Sequence, residues 1–183
     1  MRRRGTRRTL VALTPNDAVA RGRFRTVREY RAPAHDLEPD MTTTPFDPRT
    51  LLAESRLGVL ATIKSDGRPQ LSPVMPYYDR ESDVLYVSMT EGRAKTANLR
   101  RDPRATLEVT APDGRSWATA EGTALLTGPG TDPGGPEVEA LVRYYRAAAG
   151  EHPDWDEYRS AMVSDRRVLM TMTVDHVYGA HIG

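Results

Sequence analysis

The chain has 183 residues, 38% hydrophobic and 28% charged, with a formal net charge of +1 and no cysteine. That length suits one domain, or one domain with a tail. The missing cysteines exclude disulfides, thiolate metal ligands and cysteine nucleophiles, and fit a cytoplasmic location. No apolar run approaches the roughly 20 residues that cross a bilayer as a helix.

Residues 1–40 hold ten arginines and five acids, whereas residues 41–183 hold 16 basic and 20 acidic residues. The body is therefore mildly acidic and poorly suited to gripping a nucleic-acid backbone. The arginine-rich lead has no sustained apolar period. Arginine clusters can contact nucleic acid or an anionic membrane, and a targeting role would lack the apolar core of a secretory signal. We read residues 1–40 as a disordered or non-native extension. Met41 opens a polar lead that reads as an ordinary translation start. Residues 41–183 are expected to form the folded, cofactor-binding domain.

Asp47 and Pro48 have the order of an N-cap and a first helical residue, with Leu51 and Leu52 as the buried face of a short helix. Residues 57–63 are apolar and partly β-branched, a strand pattern. Asp66 and Gly67 make the tight turn of a hairpin, and residues 70–78 return as its partner. Pro73 and Pro76 remove ladder donors there, which predicts an edge or bulged strand.

The turn at 79–83 leads to a third strand over 84–89. Gly92 then sets a turn, and a helix is expected to run from it until the residue before Pro103 is pushed out of helical geometry. Residues 105–109 read as strand four. Residues 117–126 read as strand five, with Gly122 as a bulge or close-approach point. A glycine- and proline-rich loop spans 127–135. Val138, Leu141, Val142 and Tyr145 then recur at helical spacing, and Trp155, Tyr158 and Met162 mark a second short helix. Residues 168–174 form the last strand. Strands joined by hairpins, with few helices inserted, predict a small antiparallel β-barrel.

The chemistry concentrates at Arg93, Lys95 and Thr96. They stand where a helix begins, so unpaired backbone N–H groups, a guanidinium, an ammonium and a hydroxyl meet there. That is a phosphate cradle, although a basic solvated turn would look the same. His35, His152, His176 and His181 have no metal-ligand spacing, so no zinc site is expected. His176 reads as a surface or interface residue. No nucleophile–base pair can be assembled. Trp117, Tyr144, Tyr145, Trp155 and Tyr158 read as core or dimer packing rather than a cofactor box. A phosphate cradle without hydrolytic machinery points to a bound cofactor that does the chemistry itself.

Several segments carry a family likeness. Residues 58–72, Gly-Val-Leu-Ala-Thr-Ile-Lys-Ser-Asp-Gly-Arg-Pro-Gln-Leu-Ser, resemble the opening hairpin of the pyridoxamine 5′-phosphate oxidase-like split β-barrel proteins. Residues 93–105, from Arg93-Ala94-Lys95-Thr96 to Asp102-Pro103, are similar to that superfamily's phosphate-binding segment. Residues 121–124 resemble its fifth strand, and residues 165–169 and 176–179 its closing strand. The wording is nearest to the branch that uses the deazaflavin coenzyme F-420.

The resemblance implies a mainly β protein, a six-stranded antiparallel split β-barrel of the FMN-binding type with a few short helices. It also implies a homodimer with cofactor sites at the interface, and a hydride passed between the coenzyme and a small conjugated substrate. By similarity, Arg93, Lys95 and Thr96 would hold the phosphate and acidic tail. Gln70, Ser72 and Ser88 would line the deazaflavin, and Arg100 or Arg101 would hold the polyglutamyl tail. Tetrapyrroles, quinones and unsaturated lactones are the substrates that family analogy suggests. Two departures stand out: Pro73 replaces a polar residue common in relatives and cannot donate a backbone hydrogen bond, and Arg115 occupies a turn that can carry an aromatic residue. The alternatives are an FMN-dependent oxidase or reductase of the same fold, and a non-catalytic flavin- or deazaflavin-binding protein.

Overall fold

A computed structural model describes residues 46–182. The expectations for residues 1–40 and for Met41 lie outside the described residues.

Helix α1 (Pro48–Glu54) starts where the Asp47 side chain accepts the Arg49 N–H at 2.9 Å. Strands β1 (Gly58–Ile63) and β2 (Pro69–Val74) form the first hairpin, turned by Gly67 at φ 81°. Strands β3 (Pro76–Asp79) and β4 (Val84–Thr90) form the second. Helix α2 (Ala94–Arg101) follows, then β5 (Arg104–Thr110) and the long β6 (Ser116–Thr127). Helices α3 (Pro136–Ala149) and α4 (Trp155–Ser164) precede β7 (Arg167–His181).

The strands form one antiparallel sheet in the order β2-β1-β5-β6-β7-β4-β3. Only Met75 separates β2 from β3, yet these two are the outer strands of that order. The sheet therefore curls until its edges meet at Met75. No ladder joins β2 to β3, so the barrel stays split along that seam.

Among the described residues the strand count is seven rather than the expected six. The run read as one strand over 70–78 changes partner in its middle, pairing with β1 up to Val74 and with β4 from Pro76 onward. Pro73 and Pro76 flank the switch, and both sit on edge strands where a missing N–H costs no ladder bond. The last strand also outruns its apolar core of 168–174, because His176 to His181 pair with the start of β6.

Gly122 marks the expected bulge. Glu121 opposes His176 while Gly122 opposes Val174, which leaves Asp175 as the extra residue. A Cβ at 122 would stand 2.0 Å from the Thr173 carbonyl oxygen, so no larger residue fits this backbone.

Leu60, Leu85, Leu107, Met170 and Met172 are fully buried inside the barrel, each worth about 1.5–3 kcal/mol of burial. A second cluster lies outside it. Leu141, Val142, Tyr158 and Leu169 pack α3 and α4 onto the outer face of β4 and β7, with Tyr86 and Tyr144 at its margin. Strand alternation makes this possible: Leu85, Val87 and Met89 point into the barrel, so Tyr86, Ser88 and Thr90 point toward the helices. Tyr145, Trp155 and Tyr158 pack against one another with ring centroids 5.0–5.9 Å apart, and Tyr145 and Tyr158 also line a cavity beside the sheet. Among the described residues no helix is long and apolar enough to cross a membrane.

Candidate cofactor site

Strand β4 delivers the chain to the site. After Thr90 the backbone N–H of Glu91 bonds to the Arg166 carbonyl at 2.9 Å, tying the turn to the start of β7. Gly92 adopts φ 81°, a conformation other residues rarely take. Arg93 is the N-cap of α2 in extended geometry, without a side-chain cap bond. The first N–H groups of α2 therefore have no side-chain partner from their own cap.

Thr96 is fully buried, and its hydroxyl donates to the Thr90 carbonyl at 3.0 Å. It locks the first turn of α2 back onto β4 and so fixes where its neighbours point. Lys95 lines a cavity of about 410 Å³ between the outer face of the sheet and helices α3 and α4. Pro73, Met75, Ser88, Tyr144 and Arg167 line the same cavity.

Arg167 is the residue that sequence reasoning missed. Its Nε and Nη2 donate to Ser88 Oγ at 3.2 and 2.9 Å, and its Nη1 donates to Thr90 Oγ1 at 3.2 Å. Three bonds to neutral hydroxyls hold the guanidinium in place without cancelling its charge. Burial lowers the Lys95 pKa first, and the charges of Arg93 and Arg167 lower it further. Among the described residues, Arg93, Lys95 and Arg167 have no carboxylate within ion-pair distance. Lys95 and Arg167 line the cavity and Arg93 stands close enough to depress Lys95, so these cations repel one another, and an anion between them removes that cost. The residues thus fit a phosphate or other multiply charged group on their own chemistry.

The remaining expected site residues divide into two groups. Gln70 and Ser72 belong to a network under α2 and do not line the Lys95 cavity. Asn98 Nδ2 donates to Thr62 Oγ1 at 3.1 Å and to Gln70 Oε1 at 3.4 Å, while Gln70 Nε2 donates to Ser72 Oγ. That network pins α2 to the first hairpin. Arg100 pairs with Glu91 and donates to the Gly128 carbonyl at 3.0 Å. Arg101 donates to the Ile63 carbonyl and to Asn98 Oδ1. Both arginines are committed to partners within the chain, whereas Arg93 and Lys95 make no side-chain hydrogen bond among the described residues.

No aspartate, glutamate or histidine among the described residues lines the Lys95 cavity. Its groups able to move a proton, apart from the cations, are Tyr144, Tyr145 and Tyr158. Burial raises the Tyr144 pKa, and burial followed by its tyrosine neighbours raises Tyr158 to about 12. Both stay neutral near pH 7. The cavity can bind an anion, hold a planar ring against Pro73 and Met75, and exclude water. It holds no pair of groups for hydrolysis.

A curled antiparallel sheet, split at one seam, defines a split-barrel protein. The family follows from sequence: residues 48–181 match the pyridoxamine 5′-phosphate oxidase model, and the chain belongs to that family. The family includes oxidoreductases. A solved F-420 reductase superposes with a TM-score of 0.55 at 23% identity, covering 74% of this chain and 98% of its own. A conserved hypothetical protein of Mycobacterium tuberculosis gives a TM-score of 0.57 at 21% identity, over 80% of this chain and 90% of its own. A heme binding protein of Mycobacterium smegmatis gives 0.53 at 22% identity, over 73% of this chain and 52% of its own. At these identities the likeness is one of fold.

Proposed function

We propose that this protein is a deazaflavin-dependent reductase that holds reduced coenzyme F-420 while a hydride passes to a small conjugated substrate. One observation carries this reading: Lys95 and Arg167 line one cavity, with Arg93 close enough to act on the Lys95 charge, and none of the three has a carboxylate partner among the described residues. Arg93, Lys95 and the N-terminus of α2 take the coenzyme's phosphate, with the Thr96 hydroxyl framing that turn. Arg167 and Ser88 stand beside it on β4 and β7. Pro73 and Met75 border the ring, and Gln70 and Ser72 act behind it by pinning α2 to the first hairpin through Asn98. Arg100 and Arg101 lie on the exposed side of α2, where an anionic tail can reach them in exchange for their present partners. When bound, the deazaflavin supplies the hydride chemistry. The chain binds, orients and shields it, roles that need no side-chain acid or base.

The likeness to an F-420 reductase supports the deazaflavin. The family match favours a second reading, an FMN-dependent oxidase or reductase, because the same cations would hold the phosphate of that cofactor. The lack of a carboxylate or histidine lining the cavity among the described residues favours a third, non-catalytic binding. The working unit is a homodimer. The exposed side chains of Leu71, Met75 and Leu125, each more than 60% accessible, suit burial against a second copy. The cysteine-free composition supports a cytoplasmic setting.

The test is a fluorescence titration of the purified full chain with coenzyme F-420 and, in parallel, with FMN. Binding of the deazaflavin with little affinity for FMN supports the proposal. Preference for FMN moves the protein to the second reading, and binding of neither removes both.

A further inference from the structure

The groove between the sheet and α3 continues past Tyr144. Side chains alternate along a strand, so Tyr86 shares the outer face of β4 with Ser88, and Leu169 and Thr171 extend the face of β7 that Arg167 begins. Beyond Tyr144 this face floors a second cavity of about 440 Å³. That is within the range of small-molecule sites, about 300–1,000 Å³.

Tyr77 and Tyr86 lie along the second cavity with ring centroids 6.0 Å apart. Ala140 and Ala147 leave the underside of α3 low enough for a flat molecule to slide beneath it. Asp79 also lines the cavity, but its carboxylate is committed to the Ser82 hydroxyl at 2.7 Å and the Glu81 N–H at 3.0 Å. Arg143 lines it from α3, is exposed, and among the described residues makes no side-chain hydrogen bond or ion pair. Tyr144 lines both cavities. Its hydroxyl reaches across to the Met75 carbonyl at 3.5 Å, too long to hold it firmly.

We infer that this second cavity is a subsite for a planar aromatic or conjugated molecule bearing one anionic group, with Arg143 holding the anion and Tyr144 dividing it from the Lys95 cavity. The inference rests on the reductase reading for its role, which is to seat the hydride acceptor. The tyrosine pair offers ring faces to a flat apolar body. Arg143 sets which end of the molecule points outward, so the opposite edge faces Tyr144 and the cofactor site behind it.

The experiment is a titration of the full chain, without added cofactor, with the fluorescent anionic aromatic 8-anilinonaphthalene-1-sulfonate. Arg143→Ala and Ala147→Trp are each expected to weaken binding at least fivefold. The comparison is made in the Lys95→Ala background, which removes an anion-holding charge from the neighbouring cavity, and the fivefold losses are expected to persist there. Ala147 is exposed, so the tryptophan fills the cavity without entering the core. Equal affinity with and without Arg143→Ala in that background overturns the inference, and so does equal affinity with and without Ala147→Trp. No hydride chemistry enters this readout. A protein that binds the dye here but neither flavin nor deazaflavin would sink the reductase reading and leave the subsite standing.

Discussion

Arg167 donates to Ser88 Oγ through both Nε and Nη2, at 3.2 and 2.9 Å, and so carries a fixed charge into the cavity that Lys95 lines. The two residues lie on adjacent antiparallel strands, where Ser88 opposes Leu169 and Thr90 opposes Arg167. The arginine is thereby oriented by sheet register rather than by a charged partner. Replacing it with lysine keeps the charge and loses the planar fork. Arg167→Lys is expected to weaken binding of the phosphorylated cofactor, and Arg167→Ala to weaken it further, by about 1.5–3 kcal/mol in all. Isothermal titration of both variants checks this, and an unchanged dissociation constant in Arg167→Ala would remove the residue from the site.

Lys95 supplies a test that separates binding from stability. Its pKa is lowered in the folded protein, so between the folded and unfolded values the unfolded chain holds more protons. The charged side chain thus costs stability at neutral pH, and that cost is relieved as pH rises through the folded value toward the ordinary lysine range. Lys95→Met is expected to raise the thermal midpoint at pH 7 while weakening cofactor binding by about 1.5–3 kcal/mol. An anion in the cavity restores the lysine's charge, so binding at alkaline pH should take up protons. Calorimetry in two buffers of different ionisation enthalpy measures that uptake.

Arg93 and Lys95 were legible because they follow a strand and a glycine turn within a few residues. Arg167 was not, because it comes far later in the chain and reaches the cavity only through the β4–β7 pairing. Its one signal in the sequence was an arginine just ahead of the last apolar strand. The switch of partner at Met75 was hidden for a similar reason. Two prolines announced an edge, but which strand the edge faces is a property of closure, and residues on both sides of Met75 keep the same alternation. The Gly122 bulge could be read because a glycine inside an apolar strand marks a bulge or a close backbone approach. Gln70 and Ser72 were marked as polar residues on a cofactor strand, yet sequence could not show that Asn98 on α2 would engage them.

Gly122 offers the sharpest stability prediction. The obstacle to a side chain there is the Thr173 carbonyl, which belongs to the backbone of β7 and cannot turn aside. Gly122→Ala is expected to cost about 3 kcal/mol, the upper part of the usual range for overpacking. A urea melt gives the value directly. A loss below about 0.5 kcal/mol, the scale of an ordinary surface substitution, would mean that the bulge relaxes freely.

Asp83 ties helix α1 to the second hairpin and makes acid and alkaline stability depend on one cluster. Its carboxylate accepts from Arg49 Nη2 at 3.0 Å and from the Tyr78 hydroxyl, and these two bonds lower its pKa, Arg49 having the larger effect. Tyr78 is raised to about 12, first by burial and then by Asp83. For Asp83 the folded value is the lower one, so its contribution is present above the unfolded carboxylate range and is lost as pH falls through the folded value. For Tyr78 the folded value is the higher one, so its contribution is present below the ordinary 10.0 and is lost as pH rises through about 12. Asp83→Asn keeps an acceptor for Tyr78 but removes the charge that both neighbours feel. It is expected to cost about 1 kcal/mol at pH 7, since the Arg49 pair is partly exposed and screened. It should also shrink the alkaline loss of stability, because Tyr78 is then raised less above its ordinary value. Thermal midpoints of the variant and the parent across the pH range check both ends. A variant whose midpoint falls uniformly, with the shape of the pH profile unchanged, would show that the cluster acts through packing rather than through charge.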